Sequence, residues 1–316
     1  MDTIAHAAAH LRAGGLVAMP TETVYGLAAI ARDAEAVARV FRAKGRPSNN
    51  PLIVHAATLA MAQECCAAWP PPAEALARAF WPGPVTLVLP RAAWVPDIVT
   101  AGGPTVAVRV PRHPVALALI EAVGQPLVAP SANRSGYVSP TTANHVWGVW
   151  PRSEVVVLDG GPCEVGLEST VVAVDEDSVR VLRPGVIGAA ELALAAGVRV
   201  LEREGADATA ASPGLIGPHY QPRARLVLVE NPEDVRAYFD ETKLVFLGPP
   251  GVSIDVPRPH VVLAMPGGPA EYARNLYGML RGADAMEPSA IVVSVPGGAG
   301  AVWDAVRERL ARAASR

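Results

Sequence analysis

The chain has 316 residues, 51% hydrophobic and 18% charged, which is enough apolar material for two cores and excludes an intrinsically disordered, charge-rich protein. A net charge of −3 excludes a molecule-wide basic surface for nucleic acid, so any anion site must be local. Its longest apolar runs, such as 16–19 and 155–158, are far shorter than the roughly 20 residues of a membrane helix.

Helical spacing over 4–13 precedes a strand at 16–20, and a second helix over 33–43 precedes a strand at 51–55. Helices at 57–68 and 73–80 follow, then strands at 85–89 and 105–110, a helix at 113–123, a strand at 126–129, a helix at 141–149 and a strand at 154–158. The pair 169–174 and 178–182, joined across Asp175-Glu176-Asp177, reads as an antiparallel hairpin, and a helix at 189–196 ends the series. Strands alternating with helices, plus one hairpin, predict an α/β fold with a twisted mixed sheet over residues 1–203.

Residues 204–225 lapse into Gly, Pro and small side chains and read as a linker. A second α/β rhythm occupies 226–316, with strands near 226–229, 244–248, 260–265 and 290–295 and helices near 232–240, 269–285 and 301–314. It predicts a small Rossmann-like domain. The acidic start Met1-Asp2-Thr3 does not resemble a signal peptide, and Cys65, Cys66 and Cys163 show neither a disulfide framework nor zinc spacing; a cytoplasmic protein is expected.

The chemistry-bearing residues cluster at predicted strand ends. Pro20-Thr21-Glu22-Thr23-Val24-Tyr25-Gly26-Leu27 is a hydroxyl-rich turn after a strand, where α/β sheets place ligands, although an ordinary Thr-capped connection explains it equally well. Lys44 and Arg46 close a helix beside Asn49 and Asn50. Basic residues there compensate a helix dipole, but held in a Gly-Pro loop they also suit a polyphosphate. Apart from Lys44 and Lys243 every cation is arginine, which makes Lys44 the more telling residue. His55 ends a strand without a clear polar partner. Arg109 lies within the apolar run 105–110, so it requires an anion, either a ligand or a structural ion pair. Ser131-Ala132-Asn133 leaves a strand with donors exposed, and Ser139 or Thr141 can serve as a helix cap.

In this order and at these spacings the segments 20–27, 44–47, 50–55, 108–111, 131–133, 166–171 and 183–185 closely resemble the YrdC-type family of L-threonylcarbamoyladenylate synthases. The linker with His219-Tyr220, and Tyr272-Ala273-Arg274-Asn275-Leu276-Tyr277, resemble its two-domain branch. The resemblance implies a nucleotidyltransferase that joins L-threonine, bicarbonate and ATP into threonylcarbamoyl-AMP and pyrophosphate. A partner complex would then transfer the threonylcarbamoyl group to tRNA beside the anticodon.

Carried onto this sequence, it implies catalytic roles for Lys44, Arg46 and Arg109. ATP would contact Lys44, Arg46, Asn50, Thr105, Asn133, Ser139, Arg183 and Tyr220, and threonine Thr23, His55, Arg109, Ser131 and Ser169, with Arg109 on its carboxylate. Mg²⁺ would arrive with ATP, without a protein cage of its own. A pure RNA-binding module is disfavoured by the near-neutral charge and by 5% aromatic content. A hydrogenase-maturation carbamoyl transferase would carry further domains and zinc-ligand cysteines.

Overall fold

A computed structural model of the chain describes residues 3–201, 219–252 and 254–315. A ten-stranded mixed sheet and a four-stranded parallel sheet organise them. In the first, the strands are β1 (Leu16–Met19), β2 (Gly26–Ile30), β3 (Ile53–His55), β4 (Val85–Pro90), β5 (Thr105–Arg109), β6 (Leu127–Val128), β7 (Val155–Val157), β8 (Thr170–Val174), β9 (Ser178–Arg183) and β10 (Arg199–Leu201). Their spatial order is β10-β9-β8-β4-β5-β3-β6-β2-β1-β7. The β8/β9 pair is the expected antiparallel hairpin.

Helices α1 (Ile4–Arg12) and α6 (Pro114–Val123) pack on one face of this sheet, and α2 (Ala34–Lys44), α4 (Pro71–Phe80) and α8 (Ala189–Ala196) on the other. Side-chain alternation assigns the faces: Leu16, Ala18, Leu27 and Ala29 join one core, while Val17, Met19, Ala28 and Ile30 join the other. Strand β2 escaped the sequence reading for that reason. Every one of its residues is buried, so Gly-Leu-Ala-Ala-Ile shows no polar alternation, and its alanines carry little strand propensity.

Local signals explain several boundaries. Helix α2 starts where the Asp33 carboxylate accepts the Ala36 N–H at 3.0 Å, and it stops at Gly45, whose φ of 63° is left-handed. Its buried face is Ala36, Val37, Val40, Phe41 and Lys44, a helical period that carries the lysine inward. The helix expected over 57–68 shrinks to α3 (Leu59–Gln63), because the Ala67 N–H bonds to the Pro90 carbonyl at the end of β4 instead of continuing the helix. The helix expected over 141–149 is α7 (Ala143–Trp147), and the short α5 (Asp97–Thr100) and β10 had no clear sequence signal.

The second sheet has strands β11 (Arg225–Val229), β12 (Leu244–Gly248), β13 (Val261–Ala264) and β14 (Ala290–Ser294), all parallel, in the order β11-β14-β12-β13. Helices α9 (Pro269–Ala285) and α10 (Ala301–Ala314) cover it, and the helix expected over 232–240 is a 3₁₀ segment, Pro232–Tyr238. Of the stretch read as a linker, 204–218 lies outside the described residues. Its end is packed: Tyr220 is buried and stacks on Tyr277, and the Gln221 N–H donates to the Gly136 carbonyl.

The two sheets meet through α9 and α10. Arg281 donates to the carbonyls of Val138 and Ser139, and Arg274 to that of Glu164 at 2.8 Å. Gly166, at φ 79°, lets the chain approach α9 so closely that a Cβ there would lie 2.5 Å from the Arg274 Cα. Among the described residues no helix is long and apolar enough to cross a membrane.

Candidate active site

A cavity opens over β3, β5 and β8, where Ile53, Val88, Ala107, Val171 and Leu182 form a small apolar cluster separate from the two main cores. Its walls come from the turn after β1, the ends of β3 and β5, the turn after β6, the start of β8, the end of β9 and the pair His219-Tyr220.

At one end stands Arg109, 3% exposed at the carboxyl end of β5. Its Nη1 donates to Thr23 Oγ1 at 2.9 Å, its Nε to the Gly83 carbonyl at 3.0 Å, and its Nη2 lies 2.7 Å from Glu22 Oε1. Glu22 is itself only 2% exposed, so the anion that Arg109 requires is already supplied by the protein. Thr21 knits the turn by accepting the Thr23 N–H at 3.1 Å and donating to the Val24 carbonyl at 2.6 Å.

His55 pairs with Arg109 across β3 and β5. Burial, reinforced by the Arg109 charge, pushes its imidazole down to about 3, so it is neutral at physiological pH. Ser169 completes this end; its hydroxyl shares a 2.7 Å hydrogen bond with Thr86 and accepts from Arg183 Nη2 at 3.2 Å.

The other end is cationic. Arg46 is fixed by the Asn50 side chain at 2.5 Å and the Pro51 carbonyl at 2.8 Å, and Arg183 is anchored on the Ser169 carbonyl at 3.0 Å. Beside them lie His219, which burial and then the Arg46 charge push down to about 3, and Tyr220, held at a left-handed φ of 64°.

Glu168 closes this wall. It accepts from Ser139 Oγ at 2.7 Å, from the Tyr277 hydroxyl at 2.8 Å and from Arg309 Nε at 2.9 Å, so α9 and α10 both reach the cavity edge. Burial alone would raise its carboxyl, but Arg309, then Arg183 and the Ser139 bond, outweigh burial and hold it at about 2.

Of the residues singled out from sequence, Thr23, Arg46, His55, Arg109, Ser131, Ser169, Arg183 and Tyr220 line the cavity together. Asn50 and Ser139 stand behind it, bracing Arg46 and Glu168. Lys44 is also behind it: its Nζ donates to the carbonyls of Ser131 at 2.6 Å and Asn133 at 2.5 Å, so it shapes the Ser-Ala-Asn turn instead of facing the cavity. Asn133 turns its amide N–H groups toward the carbonyls of Arg134 and Tyr137. Thr105 is at the amino end of β5, opposite the end that carries Arg109, and does not line the cavity.

Sequence reading missed Glu22, Glu168, His219 and Arg309. The first two carried a signal, an acid within a hydroxyl-rich buried turn, whereas Arg309 in the run Arg307-Glu308-Arg309 looks like an exposed helix face. All three cysteines are free, and burial pushes each thiol up to about 12, which leaves no reactive thiolate among them. Lys44→Met is expected to lower stability by about 2 kcal/mol or more, because two buried carbonyls lose their donor. Thermal unfolding checks this; an unchanged midpoint would mean that the turn does not depend on Lys44.

Three arginines, two neutral histidines and a ring of hydroxyls, in a cavity with no free carboxylate, define a site for a small anionic substrate beside a phosphorylated one. Residues 9–185 match the Sua5, YciO and YrdC family profile, described as "Telomere recombination", and residues 185–315 match the profile of the threonylcarbamoyl-AMP synthase C-terminal domain. A threonylcarbamoyl-AMP synthase from Pyrococcus abyssi is 46% identical over 240 residues, covering 74% of this chain and 70% of that one. The Bacillus subtilis threonylcarbamoyl-AMP synthase is 44% identical over 245 residues, covering 75% and 70%. The crystal structure of P. abyssi Sua5 complexed with L-threonine aligns with a TM-score of 0.89 at 39% identity over 98% of this chain and 94% of that one. The chain belongs to the threonylcarbamoyl-AMP synthase family.

Proposed function

We propose that the chain is an L-threonylcarbamoyladenylate synthase, converting L-threonine, bicarbonate and ATP into threonylcarbamoyl-AMP and pyrophosphate. The observation that carries this reading is the single cavity with two chemically distinct ends. Arg109, Thr23, His55, Ser131 and Ser169 suit an amino acid, and Arg46 and Arg183 suit phosphates. The threonine complex of a relative that aligns along nearly the whole chain supports it.

The chemistry needs little from a base. Once the threonine nitrogen has become a carbamate, its own oxygen is the nucleophile toward the α-phosphorus, and the bond to the β-phosphate bridging oxygen breaks as pyrophosphate leaves. The protein holds the two reactants in line and neutralises charge. Arg109 binds the threonine carboxylate while Glu22 keeps the guanidinium in place. The neutral His55 offers a hydrogen bond without adding charge, and Arg46 and Arg183 take up charge that develops on the phosphates.

Glu22 and Glu168 are both engaged with arginines, and among the described residues no three His, Cys, Asp or Glu side chains group together for a metal. That donor set fits Mg²⁺ carried by the oxygens of ATP itself, where the ion would supply further charge neutralisation. The product feeds a downstream transferase that modifies tRNA next to the anticodon, which places the enzyme in the cytoplasm.

Pyrophosphate release by the purified protein should require threonine, bicarbonate and ATP together. Release that persists without threonine or bicarbonate, or none with all three, would sink the assignment. Arg46→Ala is expected to weaken ATP binding roughly 10- to 100-fold, the worth of charge-assisted hydrogen bonds of about 1.5–3 kcal/mol, with little change in the thermal midpoint. Calorimetric titration with ATP measures it.

A further inference from the structure

A second cavity, of about 400 Å³, lies where the two halves of the chain meet. The segment 134–138 and the residues after α7 form one side of it, and residues 221–223 with the last turn of α9 form the other. Small-molecule sites favour such boundaries, and the volume falls within their usual range. The two cavities share a wall, because Gln221 lines this one and the preceding Tyr220 lines the catalytic one.

Its charge is unbalanced. Arg134, Arg223 and Arg281 line it against one acid, Asp284, which pairs with Arg223 at 3.1 Å. Arg281 donates to the carbonyls of Val138 and Ser139, and Arg134 to that of Ala43. Those acceptors are neutral, and among the described residues neither guanidinium forms an ion pair. Burial pushes Arg281 down to about 10, and the Asp284 charge offsets this only in part. Arg309 and Arg109, by contrast, each have a carboxylate. Arg46, which faces the catalytic cavity, shows the same pattern as Arg281: its bonds go to Asn50 and the Pro51 carbonyl, and burial pushes it down to about 9.

An independent observation is the ring between these two arginines. Tyr137 is 48% exposed, and it and Leu194 are the large apolar side chains left open to solvent among the described residues. Its backbone is firmly held: the N–H donates to the Arg134 carbonyl at 3.2 Å, the carbonyl accepts from Asn133 Nδ2 at 2.8 Å, and the strand-like bridge to Gln221 fixes the other side. Arg134 is likewise oriented, its guanidinium 4.2 Å from the Trp150 ring centroid. A rigidly mounted aromatic face beside arginines is the combination that stacks a base while holding its phosphate.

We propose that this cavity binds a nucleoside monophosphate, with its phosphate between Arg134 and Arg281, its base on the Tyr137 ring and its ribose hydroxyls toward Asp284. Three arginines against one aspartate leave two positive charges, which match a phosphomonoester near neutral pH and fall short of a triphosphate. Transfer of the threonylcarbamoyl group out of threonylcarbamoyl-AMP leaves AMP, so the source of the nucleotide rests on the proposed function, whereas the site itself does not.

Calorimetric titration of the full chain with AMP tests it, in an Arg46→Ala background that weakens the phosphate grip of the catalytic cavity. AMP should still bind there, and adding either Tyr137→Ala or Arg134→Gln should weaken it roughly tenfold, the worth of one stacked base or one charged hydrogen bond. Tyr137→Ala alone should keep the thermal midpoint and the rate of pyrophosphate release of the natural protein, because its side chain is open to solvent and its backbone bonds remain. No AMP binding to Arg46→Ala at millimolar concentration, or binding that ignores both added substitutions, would overturn the proposal. Inorganic phosphate binding as tightly as AMP would overturn it too, as would a single-stranded RNA oligonucleotide that binds through Tyr137 more tightly than AMP. A natural protein that releases no pyrophosphate would sink the proposed function and leave this titration as decisive as before.

Discussion

Replacing Arg309 by alanine is expected to reduce the unfolding free energy by about 3–5 kcal/mol, the usual cost of removing one partner from a buried ion pair. Arg309 is 1% exposed, donates to Glu168 at 2.9 Å and to the Pro184 carbonyl at 3.1 Å, and lies 5.3 Å from the Tyr220 ring centroid. Without it the Glu168 carboxylate, 7% exposed, loses its hydrogen-bonded counter-charge and keeps the hydroxyls of Ser139 and Tyr277 and the charge of Arg183. The exposed pair Arg78–Glu74 is the control, because Arg78→Ala should cost less than about 1 kcal/mol. Equal losses in the two variants would show that the Glu168 contact does not hold the halves together.

The same pair sets an acid limb. The Glu168 carboxyl is held at about 2 against an ordinary 4.5. A folded-state value below the unfolded one stabilises the fold at pH above about 4.5, and that contribution is lost as pH falls toward 2. The stability difference between the natural protein and Glu168→Gln should therefore be flat near neutral pH and shrink below about 4.5. A difference that grows on acidification would contradict the assignment.

The second large effect concerns Arg109. Arg109→Met should abolish threonine-dependent pyrophosphate release, because the amino acid loses its carboxylate partner, and should also destabilise the fold by leaving Glu22 buried and unpaired. The double variant Arg109→Met with Glu22→Gln separates the two consequences. It should recover most of the lost stability, since a neutral pair of similar volume needs no counter-charge, yet remain inactive with threonine. Recovery of activity along with stability would assign Arg109 a purely structural role.

Much of this architecture was legible because its signals are local. Asp33 and Gly45 mark the ends of α2 within the sequence itself, and the β8/β9 hairpin shows in the acidic turn between two apolar runs. Where burial is decided by distant elements, the reading faltered: β2 is covered on both faces and loses its alternation, and the stretch 57–68 is diverted by the Pro90 carbonyl.

The site follows the same division. Residue types at the ends of β1, β3, β5 and β6 announced Thr23, His55, Arg109 and Ser131, since strand ends are short-range facts. Which cation faces the cavity was not legible, because Lys44 and Arg46 are two residues apart and the helix turns the lysine inward. The Glu168–Arg309 pair spans 141 residues, and no motif in either segment names the other.

That span also fixes an order of events as the protein is made. Synthesis delivers Glu168 long before Arg309, at a pace of roughly 5–20 residues per second, so the acid lacks its hydrogen-bonded counter-ion for about 7–30 seconds. During that interval Arg183 is the cation already made that faces the carboxylate, and the link to the last helix is missing. The chain thus delays a finished catalytic pocket until its closing helix has been translated and docked.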